Sequence, residues 1–206
     1  MRNQKIKEFL KTFLAVTIAT FLFGIAVRCY IYANLGSDSV SVFQQGLSST
    51  FSCTLGTAAY IYMAIVFVID LFISRENIGW TTVLNALMLG GFIDLINKLF
   101  APFFQLSNAI AFRILLLAMG ILLVSVSCVI LIRLNKGKNA LDAVAWGLTT
   151  RLKLPYRVVR IIVDAVLMGV GWLLGGVVGF GSVAAVLLTG PTIQLLLSIT
   201  NKKNKS

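Results

Sequence analysis

The segment RVVRIIVDAV, residues 157–166, carries three charged side chains inside an otherwise apolar stretch. Arg157, Arg160 and Asp164 are spaced by three and then four residues, so on a helix they lie on one stripe. A guanidinium and a carboxylate four residues apart can pair with each other, and they can also bind a small charged or polar solute. The spacing therefore predicts a charged site, and its role depends on where this helix lies.

The composition places that helix in a membrane. Of the 206 residues, 58% are hydrophobic and only 12% are charged, whereas about 25% of the residues of a soluble domain are charged. The composition therefore predicts an integral membrane protein. The net charge of +11 is then typical of cytoplasmic flanks attracted to anionic lipid headgroups, and it does not indicate a nucleic-acid partner.

The chain has few residues suited to metal binding or catalysis. It contains no histidine, and its three cysteines, Cys29, Cys53 and Cys128, form no CxxC pair. We expect no metal site, no cofactor and no enzymatic activity, because the sequence also lacks a phosphate loop and a nucleophile elbow. Cys29 and Cys53 are both expected near the outer face, where a disulfide is one reading and apolar packing is the favoured one.

Six segments are apolar enough and long enough to span a bilayer, which requires about 20 residues. They cover about 10–33, 55–74, 79–101, 110–134, 156–175 and 179–200. We therefore predict an all-α protein with one membrane domain, residues 1–206.

Basic residues predict the orientation of these spans. With the N-terminus inside, the cytoplasmic ends carry Arg2, Lys5, Lys7, Lys11, Arg75, Arg133, Lys136, Lys138, Arg151, Lys153, Lys202, Lys203 and Lys205, and the outer ends carry Arg28, Lys98 and Arg113. Because positive residues concentrate on the cytoplasmic side, both termini are predicted to be cytoplasmic.

Glycines recur in register along the two halves of the chain. The pairs are Gly36 with Gly137, Gly46 with Gly147, Gly79 with Gly179, and Gly90 with Gly190. This pattern predicts two repeats, about 10–101 and 110–200. Each holds three spans, an odd number, so the second must be inverted relative to the first, as in many transporters. Each repeat also has a short segment after its first span (37–49 and 138–150), which is either re-entrant or amphipathic and surface-lying.

Several motifs resemble a known family. LGSDSVSVFQQGLS, IGWTTVLNALMLGGFIDL, LDAVAWGLTTR, VVRIIVD and GPTIQLLL are similar to the YczE/YyaS/YitT family of bacterial membrane proteins, over about residues 15–199. The resemblance implies a multi-pass protein of the bacterial cytoplasmic membrane. It also points to Asp142 and to Arg160 with Asp164, while Val40 and Ser41 stand where the family often has Trp-Asp.

The candidate site residues are Arg160, Asp164, Asp142, Asn85 and Trp146. Asp164 lies about 12 Å into its helix at 1.5 Å per residue, near the middle of a hydrocarbon core about 30 Å thick. Arg160 and Asp164 are predicted to pair, and both a structural role and a solute or ion site fit that pair. Asp142 and Trp146 share one face of the second short segment. Asn85 can bind a solute or connect two helices.

Other polar residues are expected at interfaces. Asp94 and Lys98 are spaced as a second pair, and Asp70 is expected to reach an interface by snorkelling. Gly190 is expected to allow close helix approach, and Gly190-Pro191 is a possible break in the last span.

These patterns predict a small secondary transporter or permease for a small polar or anionic solute. The alternatives are a substrate-binding membrane component of a larger transport complex and a non-transporting membrane scaffold. The expected partners are the lipid bilayer, with anionic lipids at the cytoplasmic face, and a small-molecule solute. The sequence predicts no nucleic-acid partner and leaves the oligomeric state open.

Overall fold

The computed structural model describes residues 2–73, 75, 79–104, 109–134 and 139–203. Within these ranges the chain is helical and contains no strand. The helices are α1 (Arg2–Ala33), α2 (Ser39–Phe51), α3 (Leu55–Ile73), α4 (Trp80–Phe104), α5 (Ile110–Leu134), α6 (Ala140–Leu152), α7 (Tyr156–Leu173) and α8 (Phe180–Lys203).

Five of these helices are long and apolar enough to cross a membrane. They are α1, α3, α4, α5 and α8, through the stretches Ile6–Ala33, Leu55–Ile73, Trp80–Phe100, Ile110–Leu134 and Phe180–Thr200. The remaining long helix, α7, has 18 residues but carries Arg157, Arg160 and Asp164. The prediction of an all-α membrane protein is therefore confirmed, with five helices of the described residues suited to span the membrane. The prediction of six spans is not confirmed.

Helix boundaries recur at a constant spacing. The short helices α2 and α6 each have 13 residues, and they begin at Ser39 and Ala140, 101 residues apart. The residue that follows each helix has a left-handed backbone conformation. This residue is Ser52 after α2, with φ 49°, and Lys153 after α6, with φ 54°. Of the glycine pairs, Gly137 lies outside the described residues.

The short helices lie inside the bundle. Most residues of α2 are buried, and so are most of those in the first two turns of α6. Helix α2 packs on α3 and α7, and α6 packs on the same two helices. The pair α1 and α5 forms the other main contact, with α4 packed on α1 and α8 packed on α5.

Helix α2 runs alongside the second half of α7 and in the same direction. Ser39 contacts Asp164, a Cβ on Gly46 would meet the carbonyl oxygen of Gly171, and Thr50 donates to the carbonyl of Leu174. The glycines permit this approach because a side chain at either position would occupy the space of the other backbone.

Helix α6 lies against the second half of α3. Arg151, near the end of α6, donates to the carbonyl of Phe72, near the end of α3. Ala140 and Val144, near its beginning, belong to the same hydrophobic cluster as Tyr62 in the middle of α3. These contacts show that α6 also runs in the same direction as its neighbour.

Several expectations from the sequence are corrected here. Helix α8 continues through Pro191 without a break; a membrane-spanning helix can tolerate one missing backbone donor. A Cβ on Gly190 would have nothing within 4 Å, so this glycine does not mediate close packing. Asp70 is fully buried, so it does not snorkel. Cys29, Cys53 and Cys128 are free thiols, which agrees with the reading favoured from the sequence.

Candidate functional site

The predicted pair between Arg160 and Asp164 is present and is part of a larger cluster. Nε of Arg160 donates to Oδ2 of Asp164 at 2.9 Å, one helical turn further along α7. Nη1 of Arg160 forms a second ion pair, with Oδ1 of Asp142 on α6. One guanidinium therefore bridges two carboxylates from two helices, and the three side chains are only 20–30% exposed.

Asp164 connects this cluster to the first short helix. Its Oδ1 accepts a hydrogen bond of 2.5 Å from the hydroxyl of Ser39, the first residue of α2. Both carboxylate oxygens of Asp164 are therefore occupied, one by α7 and one by α2. The N-terminal end of α2 lies against the middle of α7, and helix N-termini carry a partial positive charge that favours a carboxylate.

Asp142 connects the cluster to the beginning of α7. Its Oδ1 accepts a hydrogen bond of 2.8 Å from the hydroxyl of Tyr156 as well as the bond from Arg160. The ring of Tyr156 stacks on Trp146, with 5.0 Å between the ring centroids. Trp146 is 43% exposed. It therefore lies at the exposed side of the cluster, which it contacts through Tyr156.

A third carboxylate lies close by. Asp38 is the N-cap of α2, and its side chain accepts from the backbone N–H of Ser41. The Asp38 and Asp164 carboxylates are near enough to repel each other. Tyr62, buried on α3, is within electrostatic range of Asp38 and of the Arg160 cluster. Helices α2, α3, α6 and α7 therefore surround one charged region.

Asn85 lies on a different pair of helices. It is 8% exposed on α4, and its Oδ1 accepts a hydrogen bond of 2.7 Å from Thr20 on α1. This contact connects two helices, which was one of the two roles expected for Asn85. Its role in solute binding stays a prediction, and the structure does not bring it into contact with the Arg160 cluster through this bond.

Of two other charged residues, one lies where the sequence predicted and the other does not. Arg157 is exposed, as expected for a side chain that reaches an interface. Asp94 does not pair with Lys98: its two oxygens accept from the hydroxyl of Thr54 and from the backbone N–H of Gly56. Asp94 therefore caps the beginning of α3, because a carboxylate satisfies helix N–H groups that have no partner within the helix.

Some residues of the site were not identified from the sequence. Ser39 and Tyr156 contact the site carboxylates directly, and Asp38 lies beside them. A local signal for Asp38 exists, because aspartate directly before a helical segment is typical of an N-cap. Nothing in the local pattern indicated that Ser39, 125 residues earlier in the chain, would meet Asp164.

The Arg160 cluster combines one cationic and two acidic side chains. Two carboxylates surround one guanidinium, so the three side chains together carry an excess of one negative charge when all are ionised. Among the described residues no group of three or more acidic or cysteine side chains is placed to hold a metal ion.

The five apolar helices define a multi-pass α-helical membrane protein. The chain belongs to the family of unknown function DUF6198, whose sequence profile matches residues 10–198. It is also similar to a Haemophilus influenzae protein named "Uncharacterized protein", with 26% identity over 189 residues, which cover 92% of this chain and 84% of that protein. No solved structure matches the chain. The resemblance to the YczE/YyaS/YitT family stays a prediction.

Proposed function

We propose that the protein is a small secondary transporter or permease for a small polar or charged solute. The observation that carries the proposal is the position of Arg160, which bridges Asp142 and Asp164 where the two short helices begin. Charged residues inside a membrane domain are costly, so they are found where they pair with each other or line a solute pathway.

The spacing of the helices supports an inverted repeat. Besides α2 and α6, the helices α3 and α7 begin 101 residues apart, and α1 and α5 end 101 residues apart. We propose that α7 is the sixth span, because Arg160 and Asp164 face protein partners on α6 and α2 rather than lipid. Each repeat then has three spans, so the second repeat is inverted relative to the first. The concentration of basic residues on one side supports cytoplasmic positions for both termini.

In this topology the short helices are re-entrant. Helix α2 would run from the middle of the membrane to the outer face, and α6 from the middle to the cytoplasmic face. Their N-termini then meet near the midplane beside Arg160. Many secondary transporters bind their solute where such half-helices begin, which supports the central cluster as the solute site.

The charge of the cluster favours one class of solute. The sequence predicted a polar or anionic solute, with Asp142 as a further candidate residue on the second short segment. Asp142 adds a second carboxylate beside Arg160, and a free anion approaching two carboxylates in a medium of low dielectric constant is repelled. We therefore propose a neutral polar or cationic solute; an anion would require protonation of Asp142 or Asp164.

Transport by the protein alone tests this function. The purified chain would be reconstituted in liposomes of anionic and neutral lipids, and uptake of labelled small amines, neutral amino acids, polyols and carboxylates would be measured. We expect saturable uptake of at least one amine or neutral solute, abolished by Arg160→Met and retained by Arg157→Met. Arg157 is a matched control because it is an exposed arginine on the same helix.

Other outcomes favour the alternatives. If none of these solutes enters vesicles that contain folded protein, the proposal is wrong. Stable co-purification with an ATPase would then indicate a solute-binding component of a larger complex. Absence of both transport and such a partner would indicate a membrane scaffold.

A further inference from the structure

The two halves of the bundle differ in how their last helices pack. In the first half, α4 packs on both α1 and α3. In the second half, α8 packs on α5, the counterpart of α1 in the proposed repeat. Among the described residues α8 makes no comparable contact with α7, the counterpart of α3. Only 6% of the residues in the most apolar stretch of α8 are buried, compared with 28% in α4. One half is therefore closed where the other is open.

The contact between α3 and α4 shows what the closed arrangement looks like. The backbones of Gly56 and Gly90 are so close that a Cβ on either glycine would meet the carbonyl oxygen of the other. The hydroxyl of Tyr60 donates to the carbonyl of Leu87 at 2.9 Å and accepts from the backbone N–H of Gly91 at 2.9 Å. The middle of α4 therefore lies against the first half of α3.

The corresponding surfaces of α7 and α8 are exposed. By the spacing of the repeat, Tyr60 corresponds to Ile161, and Gly90 corresponds to Gly190. Ile161 is 56% exposed, and so is 65% of Leu187, about one turn before Gly190. A Cβ on Gly190 would have nothing within 4 Å. Two apolar surfaces that pack together in the first half are therefore separated in the second.

Helix α8 is held at its beginning and packs loosely along the rest. The backbone N–H of Gly181 donates to the carbonyl of Leu35 at 2.7 Å. The hydroxyl of Ser182 accepts from the backbone N–H of Ser37 at 3.1 Å. Ala185 is fully buried in a cluster with residues of α5, and after it no described residue of α8 is buried. The helix can therefore pivot about its beginning.

The open space beside α7 adjoins the charged cluster. Helix α7 begins at Tyr156 and carries Arg160 one turn later, and in the proposed topology this end is cytoplasmic. Trp146 stacks on Tyr156 and is 43% exposed, so the exposed side of the cluster lies beside the beginning of α7. A helix that packs on the beginning of α7 would restrict access to the cluster from this side.

We propose that α8 is a gate on the cytoplasmic side, and that its middle closes onto the first half of α7. This inference rests on the proposed transport function and on the proposed repeat, because the contact of α4 with α3 supplies the closed geometry. The structure is then the cytoplasm-open state of the protein. Hinge movements of helices about fixed ends are a common way to open and close a solute site.

The residues of the second half favour a reversible contact. Ile161 lacks the hydroxyl with which Tyr60 joins α3 to α4. Gln194 stands where α4 has Asp94, whose carboxylate accepts two hydrogen bonds from the beginning of α3. A neutral amide forms weaker hydrogen bonds than a carboxylate does. Closure of α8 on α7 is therefore held mainly by apolar contact, whereas α4 is fixed on α3 by hydrogen bonds.

Disulfide formation tests the gate without reference to transport. The full chain with Ile161→Cys and Gly190→Cys, in liposomes, would be oxidised with copper phenanthroline, and linked peptides would be identified by mass spectrometry. The native cysteines would be replaced (Cys29, Cys53 and Cys128). A disulfide joins Cβ atoms about 3.8 Å apart, and nothing lies within 4 Å of a Cβ at residue 190. The bond therefore requires α8 to move, and we expect it within single chains.

The matched control pairs Gly190→Cys with Gly169→Cys. Both glycines have free space around a Cβ, so both cysteines fit the structure. Gly169 lies further along α7 than Ile161, by about 12 Å at 1.5 Å per residue. Closure on the first half of α7 leaves this pair apart, and we expect its disulfide to form about tenfold more slowly, because the bond tolerates little variation in distance.

The disulfide also gives a functional readout. With the bond between residues 161 and 190 in place, uptake in the liposome assay should fall to background and return after reduction with dithiothreitol, because a closed gate blocks the cytoplasmic side. Retained uptake by cross-linked chains would overturn the gate and leave the transport function standing. Absence of uptake before oxidation would instead count against the transport function, since the disulfide is measured without solute.

Three results of the oxidation itself contradict the proposal. Absence of the disulfide between residues 161 and 190 in folded protein would mean that α8 stays apart from α7. An equal rate for the control pair would indicate random encounters of a loose helix. A disulfide that joins two chains would place a second copy of the protein, and not α7, against α8.

Discussion

Ser39 and Asp164 are joined by a hydrogen bond of 2.5 Å although 125 residues separate them in the chain. This bond brings the first residue of a short helix to the middle of a charged one. Asp164 thereby becomes a link between the two halves of the protein, because its other oxygen accepts from Arg160, which in turn holds Asp142. Helices α2 and α6 are therefore connected by consecutive side-chain contacts through Asp164 and Arg160.

Removal of Arg160 should destabilise the protein more than removal of any one carboxylate. Arg160→Met leaves both Asp142 and Asp164 without their cationic partner, and breaking a buried pair costs about 3 kcal/mol or more. Adding Asp142→Asn and Asp164→Asn to the same chain should recover most of the loss. Thermal unfolding in detergent measures this order, with Arg157→Met as the control. Equal stability of the single and triple variants would show that the unpaired carboxylates do not destabilise the fold.

The hydroxyl of Ser39 should contribute measurably to the packing of α2 on α7. Ser39→Ala removes a hydrogen bond to a charged group, which contributes about 2 kcal/mol. The matched control is Ser198→Ala, because Ser198 is exposed and donates to a carbonyl of its own helix. We expect a lower melting temperature for the first variant and little change for the second. A similar response of both would remove Ser39 from the site.

Gly90 and Gly190 occupy equivalent positions in sequence but should respond differently to a larger side chain. A Cβ on Gly90 would meet the carbonyl oxygen of Gly56 and the ring of Tyr60, whereas a Cβ on Gly190 has nothing within 4 Å. We expect Gly90→Ala to cost about 2 kcal/mol through overpacking and Gly190→Ala to cost less. Unfolding of the two variants gives the comparison. A loss for Gly190→Ala as large as that for Gly90→Ala would contradict this difference in packing.

The proposed inversion predicts opposite accessibility for Ser49 and Thr150. Both residues are exposed near the ends of the short helices, and they are 101 residues apart. In a variant lacking Cys29, Cys53 and Cys128, we expect Ser49→Cys to react with a membrane-impermeant maleimide added to intact cells. Thr150→Cys should react only after permeabilisation. Labelling of both from the same side would contradict the inverted topology.

The sequence was sufficient for the features that depend on nearby residues. The apolar segments were found because a membrane span needs a long run of apolar residues. The pair of Arg160 with Asp164 was found because residues four apart meet on one turn. Even here the local rule failed once: Asp94 and Lys98 have the same spacing, yet Asp94 instead bonds Thr54 and Gly56.

The rest of the site depends on how distant helices pack. Asp142 reaches Arg160 because α6 lies against both α3 and α7, and Ser39 reaches Asp164 because the glycines at 46 and 171 let two backbones approach. No spacing rule reports such contacts, since the side chains come from segments that meet only in the folded bundle. Apolar helix surfaces can pack on one another in many similar ways. Charged side chains inside the bundle favour the arrangement that brings Asp142, Arg160 and Asp164 together.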